Sequence, residues 1–123
     1  YRDKREIEPV PCGGLMEYVE QGILEGDELD DYLREKLKPF MDSKISSIVL
    51  GCTHYPFVKN AIEKVVGQDV DIIDGSLGTA RELMRRLKEK DLLNDSKEKG
   101  TIEMINSSNK QELIDLSWKL IEM

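Results

Sequence analysis

Ser47-Ile-Val-Leu-Gly-Cys-Thr-His-Tyr-Pro56 opens as a short apolar run and closes on a proline, with a cysteine, a threonine and the chain's one histidine between. Ile48, Val49 and Leu50 are too few for a helix and are bounded by Gly51, which predicts a strand covered on both faces. Pro56 suits a first helical position, where its missing N–H costs nothing. Val58, Ala61, Ile62, Val65 and Val66 then supply an apolar helical face. Cys52 to Tyr55 therefore form a strand-to-helix loop, the place where α/β proteins hold ligands. The amides at a helix start attract anions and lower a thiol's pKa from its free value of about 8.5. A carboxylate ligand and a thiolate base fit one such loop.

Outward from this loop, the chain reads as alternating helices and strands. Leu15 to Val19 predicts a short helical turn. Asp27 to Phe40 carries Leu29, Tyr32, Leu33, Leu37 and Phe40 at helical spacing, with Asp27 as the N-cap. Val70-Asp-Ile-Ile-Asp74 reads as a second strand, and Gly75-Ser-Leu-Gly-Thr79 turns it into a helix containing Leu83, Met84 and Leu87. Asn94 to Gly100 is a polar connection, Thr101 to Ile105 alternates as a more exposed strand, and Lys110 to Met123 closes as an amphipathic helix. The order β, α, β, α predicts an α/β fold, a parallel sheet flanked by helices with right-handed crossovers. Three strands make a thin sheet. The opening Tyr1 to Pro9 offers neither an initiator methionine nor a starting strand, so the expectation is a piece of a longer polypeptide.

Composition narrows the function classes. Of 123 residues, 35% are charged and 39% hydrophobic, with a formal net charge of −7. No apolar run approaches the roughly 20 residues of a membrane span, and no charged-then-apolar leader opens the chain. The expectation is a cytoplasmic protein with no membrane partner. Phosphate binding needs clustered Lys and Arg, and the acidic balance argues against nucleic acid. The basic stretch Arg81 to Lys90 reads as the solvated side of a helix. Cys12 and Cys52 permit one disulfide, which a cytosolic chain does not need. Two thiols and one histidine fall short of the four ligands of a closed zinc site. No metal is expected. Gly75 to Thr79 lacks the Gly-Lys-Ser/Thr ending of a phosphate loop, and Val58 stands where a Cys-x5-Arg phosphatase loop needs arginine.

At Gly51-Cys-Thr-His-Tyr-Pro56 the sequence resembles the glutamate racemases, a family of cofactor-independent amino-acid racemases. Pro11-Cys12 followed by Leu15-Met-Glu-Tyr-Val-Glu-Gln-Gly22 looks like that family's Cys-Pro segment and Leu-Val-Glu-x-Gly helix. Val70 to Asp74 with Thr79-Ala-Arg81 is similar to its next strand and helix start, and Thr101 to Ile121 to its closing strand and helix. The hexapeptide is the specific element; the rest is mostly apolar pattern.

The resemblance implies two similar α/β lobes facing a cleft, each contributing one catalytic cysteine. Cys52 corresponds to the second of these, the one serving the L-enantiomer. Thr53 helps hold the substrate glutamate, and His54 sits beside the thiol to orient or assist it. No cofactor is implied. Two thiols are needed because one face of Cα loses a proton while the other gains one. Without an electron sink such as pyridoxal or a metal, the site must work by orientation and preorganised donors. Residues 1–76 would be the rest of the second lobe, and 77–123 a helix-strand-helix returning to the first.

The chain also departs from the family pattern. The first catalytic cysteine and the Asp-Ser substrate loop are absent. Cys12 aligns elsewhere and precedes Gly-Gly instead of Asn-Thr, so it reads as structural. Gly75-Ser-Leu-Gly78 replaces the family's Ser-Gly and acidic turn. The chain alone is expected to be inactive, and its uncovered apolar surface to favour self-association into a homo-oligomer. Two alternatives stay open: a related aspartate or hydantoin racemase, and a non-catalytic interaction module.

Overall fold

The computed structural model describes residues 7–42 and 45–122. The opening Tyr1 to Glu6 and the helix end at Met123 lie outside the described residues. The chain divides into two compact units, Tyr1–Ile72 and Ile73–Met123.

The first unit holds the core. α1 (Leu15–Glu20) follows Gly14, whose φ of 99° is left-handed backbone that only glycine adopts without strain. It buries Leu15 and Val19 one turn apart. α2 (Asp27–Met41) buries Leu29, Leu33 and Leu37 at i, i+4 and i+8, the spacing that puts side chains on one helical face. Its N-cap is Gly26 at φ 116°, not Asp27. Asp27 is instead the first helical residue and makes no side-chain cap; with Glu28 and Asp30 it sets negative charge against the positive end of the helix dipole. Pro39 interrupts the hydrogen bonding near the end, and the helix stops at Met41.

β1 (Ser47–Val49) runs into the loop 50–54, a 3-10 turn (Tyr55–Val58) and then α3 (Lys59–Val66). The helix expected to start at Pro56 therefore opens as a tighter turn, with proline in its first positions. α3 buries Ala61, Ile62 and Val65, and Val58 is sealed beneath the turn. The α2 and α3 faces pack on each other more extensively than any other pair of elements, while α1 packs on the 3-10 turn.

β2 (Asp71–Ile73) pairs with β1 in a small parallel sheet, continued at its edge by the Asp71 amide donating to the Ser46 carbonyl at 3.1 Å. The predicted cover on both faces is not found: each strand half-buries its middle residue and exposes its flanks, with Val49 at 70% exposure. A parallel sheet needs helices on two sides, and among the described residues no helix packs extensively on either strand.

The second unit begins at the end of β2. The Asp74 carboxylate accepts the Ser76 amide at 2.8 Å, and α4 (Ser76–Glu89) starts there with Gly75 as its cap. α4 closes on Asp91 at φ 55°, with the Asp91 and Leu92 amides returning to Lys88 and Leu87 carbonyls. Neither α4 nor α5 (Gln111–Ile121) buries a residue, and Leu77, Leu83 and Met84 are each about three-fifths exposed. The strand predicted over 101–105 does not form. Those residues make no ladder, since a strand exists only beside a partner, and no described segment pairs with it. Among the described residues no helix is long and apolar enough to cross a membrane.

Candidate functional site

The site is built on the loop between β1 and the 3-10 turn, within the first unit. Leu50, buried at the end of β1, anchors the loop's start, and Val58 anchors its far end. Between them the Tyr55 amide donates to the Cys52 carbonyl at 3.3 Å and the Phe57 amide to the His54 carbonyl at 3.1 Å. These bonds fold the loop back on itself, so Cys52 and His54 project to the same side.

Cys52 Sγ lies 3.8 Å from His54 Nδ1, and both residues are half-buried. On the far side of the ring, His54 Nε2 lies 3.7 Å from Glu20 Oε1, at the C-terminal end of α1. The imidazole thus stands between a thiol and a carboxylate. A tautomer with its proton on Nε2, facing the carboxylate, leaves the Nδ1 lone pair facing the thiol. That geometry is able to take a thiol proton on Nδ1 and sets the carboxylate beside the cation that would result. Thr53, next along the loop, is exposed and open to a ligand.

The helix-start amides expected to face an anion here are differently employed. Two amides of the 3-10 turn are spent on the Cys52 and His54 carbonyls, and the α-helix proper starts only at Lys59. The groups beside the Cys52 thiol are therefore the His54 ring and, beyond it, the Glu20 carboxylate, and not a helix terminus.

Cys12 is a separate case. Its thiol donates to the Val10 carbonyl at 3.6 Å, and burial pushes its pKa up, opposed by the charge of Lys36. A thiol held protonated is a poor nucleophile. Both cysteines are free. Among the described residues no three His, Cys, Asp or Glu side chains gather in metal-ligating geometry. Two arginines of the basic run on α4 are paired within their own helix: Arg85 with Glu82 and Glu89, and Arg86 with Glu82. Those two arginines hold the Glu82 carboxyl down to about 2.

Cys52, Thr53 and His54, singled out from sequence, lie together. Glu20 was not. It sits in the quoted Leu15 to Gly22 segment, and the only sequence signal was an acid ending a short apolar helix just before a glycine. Nothing local says that this acid faces the histidine.

No family model matches the chain. It is 55% identical over all 123 residues to a glutamate racemase of Clostridium perfringens and 51% identical over 122 residues to one of Clostridium botulinum, covering 47% of each. A crystal structure of glutamate racemase from Francisella tularensis in complex with D-glutamate matches 92% of this chain at TM-score 0.71 and 30% identity, over 42% of that chain. One from Thermus thermophilus in complex with beta-chloro-D-alanine matches 86% at TM-score 0.69 and 28% identity, over 41% of its length. The chain spans about half the length of the curated relatives it matches. In sequence along its whole length, and in the two-lobed fold of which it carries a part, the chain belongs with the glutamate racemases.

Proposed function

We propose that this chain is the second-lobe half of a glutamate racemase, in which Cys52 exchanges the Cα proton of glutamate without a cofactor. The observation that carries this reading is the line Cys52 Sγ, His54, Glu20, with spacings of 3.8 and 3.7 Å. His54 takes the Cys52 proton, and the thiolate then removes the α-proton of L-glutamate. The Cα–H bond breaks, an S–H bond forms, and the electron pair is spread from Cα into the substrate carboxylate. A second thiol, from the part of the racemase outside this chain, delivers a proton to the opposite face and becomes the thiolate. The reverse reaction starts from that thiolate. Thr53, exposed beside Cys52, holds the substrate. Relatives named glutamate racemase, one of them solved with D-glutamate, support glutamate as the substrate. D-glutamate so made would feed peptidoglycan synthesis in the cytoplasm.

Residues 1–76 complete the lobe that carries Cys52, and 77–123 return to the first lobe. The exposed apolar side chains of α4 support that division, since they want cover. Left uncovered, the same surface drives the chain to self-associate. The chain alone is inactive, because one base returns the proton to the face it came from.

The test is proton–deuterium exchange at Cα of L-glutamate and L-aspartate in D2O, catalysed by the racemase that contains this chain. Exchange with inversion on glutamate alone is the expected result. Inversion on aspartate would move the assignment to a related racemase, and silence on both would overturn the catalytic reading.

A further inference from the structure

Two adjacent residues of the Cys52 loop grip opposite ends of α1. His54 faces Glu20 at the last residue of that helix. The Tyr55 hydroxyl donates to the Cys12 carbonyl at 3.3 Å, and the same carbonyl accepts the Leu15 amide at 3.1 Å, the bond that opens α1. Tyr55 is also bonded to the thiol's own residue, through its amide to the Cys52 carbonyl. One side chain therefore links the nucleophile's loop to the start of the helix that carries the carboxylate.

α1 needs such a link. A helix of six residues is far below the length at which helices hold themselves together, so its position comes from tertiary ties. Its N-terminal approach is held by the Tyr32 hydroxyl on the Gly13 carbonyl at 3.0 Å and by Tyr55 on Cys12. Tyr32 reaches it from α2, and Tyr55 reaches it from the Cys52 loop. Burial, then the Cys12 and Cys52 thiols and Glu17, push the Tyr55 phenol above its ordinary pKa, so it stays a donor throughout the neutral range.

We infer that Tyr55 is a positioning residue: its hydroxyl sets α1 against the Cys52 loop and so keeps Glu20 in reach of His54. This rests on the racemase reading of the site for its catalytic meaning, but its geometry is testable without turnover. The chain has a single histidine, whose ring signals in 1H–15N NMR report the Glu20 contact without ambiguity.

The experiment compares the chain with Tyr55→Phe and Glu20→Gln, reading the His54 ring signals and the rate of iodoacetamide alkylation of Cys52 at pH 7, with Cys12 resolved by peptide mass as internal reference. Phenylalanine keeps the ring and removes only the donor. The expected result is a His54 shift in the same direction as in Glu20→Gln, with Cys52 alkylation about two- to fivefold slower and the Cys12 rate unchanged. A His54 signal moved by Glu20→Gln but not by Tyr55→Phe would overturn the role of Tyr55 and leave the Cys–His–Glu line standing. A signal unmoved in both would overturn that line and the proposal together. In the unsubstituted chain the Leu15 amide should be protected from hydrogen exchange; exchange there as fast as in an unfolded peptide would also sink the proposal.

Discussion

Lys64 on α3 reaches the carboxylate of Asp30 on α2, an ion pair in which the acid is 2% exposed and the ammonium side chain 60%. The second oxygen of that carboxylate, Asp30 Oδ1, is buried without a hydrogen-bond partner. The pair thus joins the two most extensively packed helices at the edge of their apolar contact. Removing Lys64 strands a buried carboxylate, whereas replacing both members by apolar groups removes the desolvation cost as well. Lys64→Met is expected to lower the urea midpoint of the first unit, and Asp30→Leu with Lys64→Met to regain it. A double variant no better than the single would show that the pair's charge is not what matters. The Asp30 hydrogen bond, and then its charge, raise the Lys64 pKa above 10.5. The pair's contribution is therefore fully present below that value and is lost as pH rises through the higher folded one.

Packing predicts an asymmetry between the two units. Leu33 is 1% exposed, whereas Leu83 is 60% exposed. Leu33→Ala should destabilise the first unit by about 2–5 kcal/mol. In the monomer, at concentrations too low for self-association, Leu83→Ala should change stability by about 0.5 kcal/mol or less. Denaturant melts of both variants check this; equal losses would mean that Leu83 is covered in solution, by another copy or another segment.

Acid should loosen α4. Its Glu82 carboxyl is held at about 2 by hydrogen bonds from Arg85 and then Arg86. A depressed carboxyl contributes above its unfolded value of 4.5 and loses that contribution as pH falls toward 2. Far-ultraviolet circular dichroism should show helicity declining across that window, less steeply in Glu82→Gln. Identical curves would remove Glu82 from the account.

Asp91 ends α4 in left-handed backbone at φ 55°, a conformation that glycine adopts without the Cβ penalty. Asp91→Gly should stabilise by up to about 1 kcal/mol, read as a raised thermal midpoint. A lowered midpoint would mean that the aspartate side chain contributes more than its backbone costs.

On the racemase reading proposed above, Cys52→Ser in the full-length enzyme should lower kcat for L-glutamate by about 10²-fold or more. Glu20→Gln should lower it less, with KM nearly unchanged, because on that reading Glu20 acts through the imidazole it faces at 3.7 Å and not on the substrate. A Glu20→Gln effect on KM alone would place that carboxylate in substrate binding instead.

Much of this was legible along the chain because helices announce themselves locally. The apolar spacing of Leu29, Leu33 and Leu37 and of Ala61, Ile62 and Val65 defines faces before any partner is known, and α2 and α3 bury those residues. Boundaries were less secure. Gly26 caps α2 in place of Asp27, and a 3-10 turn precedes α3, because both depend on backbone angles that composition does not report. The strand expected at 101–105 failed for a stronger reason: alternation describes a surface that can pair, not the presence of a partner.

By itself, the sequence determined which segments would be helical, though not their boundaries, which short run would lead to Cys52, and through one hexapeptide the family to which the chain belongs. It could not determine which acid meets the histidine. Glu20 faces His54, Asp30 meets Lys64 and Tyr55 reaches Cys12 across long stretches of chain, and such encounters are settled only when apolar faces pack and bring their polar edges together. Local propensity acts over a few residues; a site that joins a loop to a distant helix belongs to the tertiary structure, because only burial of the core fixes their distance.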